Sequence, residues 1–330
     1  MHKEWRNILV ELKTIKEFQA GNRIDGFFII KSAEKRISSN NKKFINFTFG
    51  DKTGDINGKL WDASDEDEKN FTDNMLVKVR GTIIEWQNNL QLKIDKIRKT
   101  VDDDNVKISD FVPSAPYSSD DMYATILEYA DKIKNQDIKN IVYDVLEGAG
   151  EKLMYWPAAK KNHHSVRSGL LYHTTTMLKA GEKISEVYTF LNTDLIYAGA
   201  ILHDMAKLEE MESSELGIVT DYSIEGQLLG HIILGVEKVR TSAKKVGASK
   251  EVSMMLEHMV LSHHYEAEYG SPKKPMFPEA EVLHHLDDMD AAMFDMRKAV
   301  EGINPGEMSD PVWSLDRRRI YKSNLDKNEE

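Results

Sequence analysis

His203 and Asp204 directly follow the run "LIYAGAIL", and Lys207 lies three residues beyond Asp204. A buried acid beside a buried imidazole is costly unless the two share a proton or a metal ion. Other histidines supply the context, because ten of the eleven fall between 163 and 285. His173 follows "GLLY", His231 sits within "LLGHIILG", and His263 and His264 follow "MVLS". Asp287 and Asp290 are one turn apart in "VLHHLDDMDAAM". Taken singly, a histidine on an apolar helix is usually a satisfied core residue, and an i,i+3 Asp pair a solvated face. Together, five segments each bring an imidazole or a carboxylate to an apolar edge within about 115 residues. With no cysteine in the chain, any metal must rest on His, Asp or Glu. Asp204 could bridge two ions, and ions about 3.5–4 Å apart activate a water and clamp a phosphoryl group.

These residues need elements to carry them. From Met122 onward apolar residues recur at three- and four-residue intervals, predicting helices through "MYATILEYADKIKN", "DIKNIVYDVLEGAG", "SGLLYHTTTMLKAGEKI" and "TDLIYAGAILHDMAKL". Further helices are predicted over "IEGQLLGHIILGVEKVRTSAKKV", "KEVSMMLEHMVLSHH" and "PEAEVLHHLDDMDAAMFDMRKAV". Ahead of them, Gly21 to Thr100 has period two. "RIDGFFIIKSAEKRI", "KKFINFTFGD" and "DINGKLWDA" read as strands, with "DKTG" as a turn and "SDEDEKNF" as a short capped helix. "MLVKVRGTIIEWQ", a turn at Asn88-Asn89 and "LQLKIDKIRK" complete a last hairpin. Five strands with a helix after the third describe an OB barrel. The fold expected is therefore multidomain, a five-stranded OB-like β-barrel followed by an all-α bundle. Its parts are a lead segment 1–11, a barrel 12–100, an acidic Ser/Pro-rich linker 101–121, a helical domain 122–302 and an extended tail 303–330.

At 330 residues the chain can bury two cores. Its formal charge of −11 is uneven: residues 1–100 hold 19 basic against 15 acidic side chains, so the acidic excess lies behind them. The front can attract a polyanion, while the back needs cations to hold one. No stretch approaches the roughly 18 apolar residues of a membrane span, and "MHKEWRNILVELK" lacks a signal-peptide core, so a cytoplasmic protein is expected. In the barrel, Phe44 and Trp61 beside Lys42, Lys43 and Lys59 are candidates for stacking bases, while Ile45, Phe47 and Phe49 read as core. Arg317-Arg318-Arg319 with Tyr321 could grip phosphates or form a plain charged surface.

The order His173, His203-Asp204 and a late Asp287 resembles the HD-domain superfamily of metal-dependent phosphohydrolases, and His231 with His263-His264 resembles the extra histidines of its two-metal members. "YWPAAKKNHHSVRSGLLYHTTTML", "AGAILHDMAKL", "LSHHYEAEYGSP" and "LHHLDDMDA", behind an OB barrel, are similar to the YhaM family of 3′–5′ exoribonucleases over about residues 12–325. Tyr265 departs from that pattern, standing where a small residue is expected.

The resemblance implies an enzyme that trims single-stranded RNA, and single-stranded DNA as a second substrate, to nucleoside 5′-monophosphates. It implies two divalent ions per chain, Mn2+ foremost, with Co2+, Fe2+ and Mg2+ as alternatives. His173, His203, Asp204 and Asp287 would be ligands. His231 and one or both of His263 and His264 would hold the second ion; adjacent helical residues diverge by about 100°, and His263 is favoured. Asp204 and Lys207 would act in catalysis, Lys207 facing the scissile phosphate, and Asp290 would orient a ligand histidine. No membrane partner is expected, and a homo-oligomer is compatible with a sequence that does not set the oligomeric state. Two other readings stay open: a phosphohydrolase for free or cyclic nucleotides, and a non-catalytic single-strand-binding adaptor.

Overall fold

The computed structural model describes residues 14–38, 40–160 and 164–325, so the lead segment 1–11 lies outside the described residues. The chain divides into two compact units, Met1–Pro113 and Ser114–Glu330.

The first unit is a closed barrel in the order β1-β2-β3-β5-β4. Its strands are β1 (Arg23–Ile37), β2 (Lys43–Gly50), β3 (Asp55–Trp61), β4 (Met75–Trp86) and β5 (Asn89–Lys99). Helix α1 (Asp65–Asn70) lies between β3 and β4, where Ser64 and Asp67 form a capping box. The long β1 serves both sides of the barrel: Arg23–Ile30 pairs with β4 and Ile29–Ile37 with β2, the register shifting between Ile30 and Ser32. Such a bulge bends a strand enough to turn a barrel corner. Closure is parallel and short, with Asn57, Gly58 and Lys59 opposite Gln91, Leu92 and Lys93. Alternation in β2 sends Ile45, Phe47 and Phe49 into the core, each no more than 1% exposed. Each buried Phe there contributes about 1.5–3 kcal/mol. The β4–β5 turn is centred on Gln87-Asn88, one residue before the expected Asn88-Asn89. Trp86 pairs with Asn89, and both turn residues are left-handed (φ 50° and 60°), as a two-residue hairpin loop of the primed type requires.

The second unit contains α2 (Ser119–Lys132), α3 (Gln136–Ala149), α4 (Gly169–Val187), α5 (Thr193–Leu202), α6 (Lys207–Glu210), α7 (Ile224–Val246), α8 (Lys250–Ser262) and α9 (Pro278–Glu301). Ser118, Asn135, Asn192, Ser223 and Ser249 cap α2, α3, α5, α7 and α8 with side-chain oxygens. Helix α2 thus begins inside the stretch expected as linker. The unit is not purely helical, because β6 (Met211–Ser213) and β7 (Val219–Tyr222) form an unexpected hairpin. Helix α5 is buried from Asp194 to Leu202 and packs against α2, α3, α4, α8 and α9, which makes it the axis of the bundle. Whatever follows its last residue is delivered into the interior. The tail is a paired loop rather than a free extended strand, with Val312 opposite Arg318 and Met308 opposite Tyr321.

Candidate metal centre

His203 and Asp204 stand in a turn between α5 and α6, not within a helix as their apolar surroundings suggest. From Leu202 onward the backbone bonds tighten to i→i+3, Met205 N to Leu202 O and Lys207 N to Asp204 O. The apolar pattern runs on unbroken because Met205, Ala206 and Leu208 are buried as well. Helix α7 is interrupted at Gly230, whose φ of 71° is left-handed, so His231 restarts the helix on a new heading. Both the N–H and the Nδ1–H of His231 donate to Glu210 Oε1, at 3.0 Å each.

Seven side chains converge. His173 Nε2 is 3.2 Å from His203 Nε2, 3.2 Å from Asp287 Oδ1 and 3.8 Å from Asp204 Oδ2. His203 Nε2 is 3.4 Å from Asp204 Oδ2. The other oxygen of Asp204 faces His231 Nε2 at 3.6 Å and His263 Nε2 at 3.9 Å. His264 Nε2 is 4.0 Å from Asp287 Oδ2, so both members of the His263-His264 pair face inward, beyond the single His263 favoured above. Imidazole bonds to a small divalent ion of about 2.0–2.1 Å would set neighbouring ligand atoms about 3.0–3.4 Å apart, close to the tighter of these spacings.

The protons fix the direction of every ring. His203 Nδ1–H donates to Ala200 O (3.0 Å), His263 Nδ1–H to Val260 O (2.7 Å) and His264 Nδ1–H to Tyr269 O (2.8 Å). A carbonyl oxygen can only accept, so these rings carry hydrogen on Nδ1 and aim Nε2 at the cluster. His173 Nδ1–H donates to Asp290 Oδ2 at 2.7 Å, and the same oxygen accepts from His164 Nε2 at 2.8 Å. Asp290 therefore orients His173, and His164 in turn holds Asp290. Sequence reasoning passed over His164 and Glu210. The first lies in a loop with left-handed φ of 52°, and the second, at the end of α6, meets His231 just past the break of α7 at Gly230.

Neighbouring charges decide the ionisation of the cluster, in which acids outnumber bases that carry a proton. Burial favours the neutral acid at Asp204, yet Lys207 and His203 hold its carboxyl well below the usual range. Burial likewise opposes the charge of Lys207, and Asp204, 2.7 Å away, more than restores it. Burial would lower His173, but Asp287 and Asp290 outweigh it and push its pKa up to about 10, the signature of a field that favours a cation. Burial holds His263 well below its ordinary value, helped by His264 and His203, which leaves the ring neutral. Among the described residues, Asp204 Oδ1, His231 Nε2 and His263 Nε2 are buried without a hydrogen-bond partner. Leaving such groups unmatched costs about 1–3 kcal/mol each, and all three point at one place. The donor set fits divalent cations.

Other expected residues fall elsewhere. In the barrel, Phe44 stacks on Trp61 with centroids 4.8 Å apart, Lys59 Nζ lies 5.8 Å from each ring, and Trp61 is 45% exposed. Lys43 is engaged by Asp65 and Glu68, and Lys42 by Asp62. In the tail, Arg318 and Arg319 donate Nε–H to Leu315 O and Ser309 O, so part of each guanidinium serves the local backbone. None of Arg317, Arg318 and Arg319 lines the cavity that opens on the cluster. Tyr265 is left-handed (φ 64°), which explains why a small residue would be expected there, and its ring stacks on His284. No helix among the described residues is long and apolar enough to cross a membrane.

Known families agree with this architecture. Residues 30–100 match the OB-fold nucleic acid binding domain and residues 170–292 the HD domain. The chain is 42% identical over 308 residues to the 3′-5′ exoribonuclease YhaM of Halalkalibacterium halodurans, covering 93% of this chain and 95% of that relative. It is 39% identical over 315 residues to the protein of the same name from Bacillus subtilis, covering 96% and 99%. Identity at that level across both the barrel and the helical unit leaves one conclusion: the chain belongs to the YhaM family of 3′–5′ exoribonucleases.

Proposed function

We propose that this protein is a metal-dependent 3′–5′ exoribonuclease that hydrolyses single-stranded RNA, and single-stranded DNA as a second substrate, to nucleoside 5′-monophosphates in the cytoplasm. The observation that carries the metal reading is the common polarity of five imidazoles, each with Nδ1–H directed outward and Nε2 directed at Asp204 or Asp287. His173, His203 and Asp287 would hold one ion, His231, His263 and His264 the other, and Asp204 would offer one oxygen to each. Two divalent ions there, Mn2+ foremost, would lower the pKa of an attacking water and neutralise phosphoryl charge.

The chain's own groups do the rest. Asp290 and Glu210 hold the rings of His173 and His231 in their ligand tautomers. Lys207 is fixed beside Asp204 and keeps its positive charge, available to the phosphate as negative charge builds in the transition state. The Phe44–Trp61 face with Lys59 provides a stacking surface for unpaired bases, which suits single strands. The test is Asp204→Ala, assayed with 5′-labelled, 3′-unstructured RNA and DNA, a panel of free and cyclic nucleotides, and elemental analysis. The wild type should give ladders shortened from the 3′ end and the variant none, with its far-UV spectrum intact. Turnover retained in the variant, or hydrolysis confined to free nucleotides, overturns the reading.

A further inference from the structure

An exonuclease must hold the nucleoside it is about to release, and the metal cluster offers nothing that recognises a base. Resting on the function proposed above, the question is what lies beside the cluster. The cavity that opens on it measures about 370 Å³. That is near the lower end of small-molecule sites, about 300–1,000 Å³, and suits one nucleotide rather than a paired end. Its polar side includes Lys207, His231, His263, His264 and Asp287 of the cluster, with Glu210 beside them. The remaining wall includes two tyrosines from separate segments: Tyr222, the last residue of β7, and Tyr269, in the 3-10 turn after α8. They are 38% and 70% exposed.

Both rings line the cavity, where a flat aromatic face can take a base, and these two are held by backbone that is part of the site. Tyr269 O accepts the Nδ1–H of His264 at 2.8 Å, and the turn closes on Gly270 with φ of 98°. Tyr222 pairs with Met211, the residue after Glu210, and its carbonyl accepts from Gln227 Nε2 at 3.1 Å. Lys160 Nζ lies 5.5 Å from the Tyr222 ring and 3.1 Å from Asp221 Oδ1. The backbones are thus anchored to the groups that set His264 and His231, while the Tyr269 ring is largely exposed and the Tyr222 ring, with Lys160 over it, is partly so.

We propose that Tyr222 and Tyr269 bind the 3′-terminal nucleoside by stacking on its base, and so register the last phosphodiester against Asp204 and Asp287. Stacking tolerates any base because every base has a π-face. The enzyme would then be indifferent to sequence yet require a base at the 3′ end. The test compares full-length, Mn2+-loaded enzyme on 5′-labelled RNA oligomers ending in an ordinary or an abasic 3′ nucleotide. In the wild type the abasic end should raise KM by about 5- to 150-fold. Tyr269→Ala and Tyr222→Ala should raise KM on the ordinary end, leave kcat and Mn2+ affinity unchanged, and narrow the gap between the two substrates, while Tyr269→Phe restores it. Calorimetry gives a readout free of turnover: the wild type should bind AMP more tightly than ribose 5-phosphate, and the alanine variants should lose that preference. Equal trimming of both ends by the wild type, or a preference undiminished in both alanine variants, overturns the proposal while the exonuclease reading stands. A wild type that trims no oligomer overturns both.

Discussion

Each of the two proposed ion positions has one imidazole backed by a carboxylate, His173 by Asp290 and His231 by Glu210, and this allows the two to be perturbed separately. In Asp290→Asn the side chain keeps its shape but loses its charge, so the bond from His173 Nδ1–H, 2.7 Å in the native protein, is no longer charge-assisted. A hydrogen bond to a charged partner is worth about 1.5–3 kcal/mol and a neutral one about 0.5–1.5. The loss felt through His173 is therefore about 1–2 kcal/mol, or roughly 5- to 30-fold in the affinity of the ion it holds. Glu210→Gln should do the same through His231, whose Nδ1–H donates at 3.0 Å. Titrating metal-free protein with Mn2+, by calorimetry and by electron paramagnetic resonance, should resolve two binding events in the wild type. Asp290→Asn should weaken one of them and Glu210→Gln the other, with far-UV spectra unchanged. If both variants weaken the same event, or neither weakens any, the division of the cluster at Asp204 is wrong.

Lys207→Ala should lower kcat on RNA by about 10²- to 10³-fold, as loss of one transition-state donor does elsewhere, without weakening Mn2+ binding; an unchanged kcat would remove its role. Trp61→Ala should weaken binding of a long RNA oligomer, followed by fluorescence anisotropy, by about 5- to 150-fold for one lost stack, and equal affinity would show that the barrel face does not touch bases. Gly230→Ala forces a side chain into the left-handed region, costing about 1–2 kcal/mol; scanning calorimetry should find the transition lowered by about 2–8 °C, together with weaker binding of the ion held by His231.

The barrel was readable because its signal is local. Ile45 to Phe49 alternate strictly, and Ser64 and Asp67 announce a helix start three residues apart. The hairpin slipped by one residue because Asn occupies two successive positions and the left-handed residue before them is Gln87, not a residue that advertises a turn. Strands of three and four residues, β6 and β7, are too short to show a period. In the helical unit the side chains that converge were legible from residue type and order, whereas the groups that hold them were not. Glu210 meets His231 only across the break at Gly230, and His164 meets Asp290 across 126 positions of sequence. The end of α5 was hidden for a different reason: burial continues past Leu202 although the helix does not.

The barrel is sealed by only three parallel pairs between β3 and β5, while β4 and β5 are zipped along most of their length. That short seam is where thermal breathing of the barrel should begin, and its amides at Asn57 to Lys59 should exchange with deuterium ahead of those in β4. Lys59 and Trp61 stand at the same joint. A strand of RNA lying across it would act as a clasp, tightening the fold by occupying it, so the proposed gripping surface would also steady the shortest seam of the barrel.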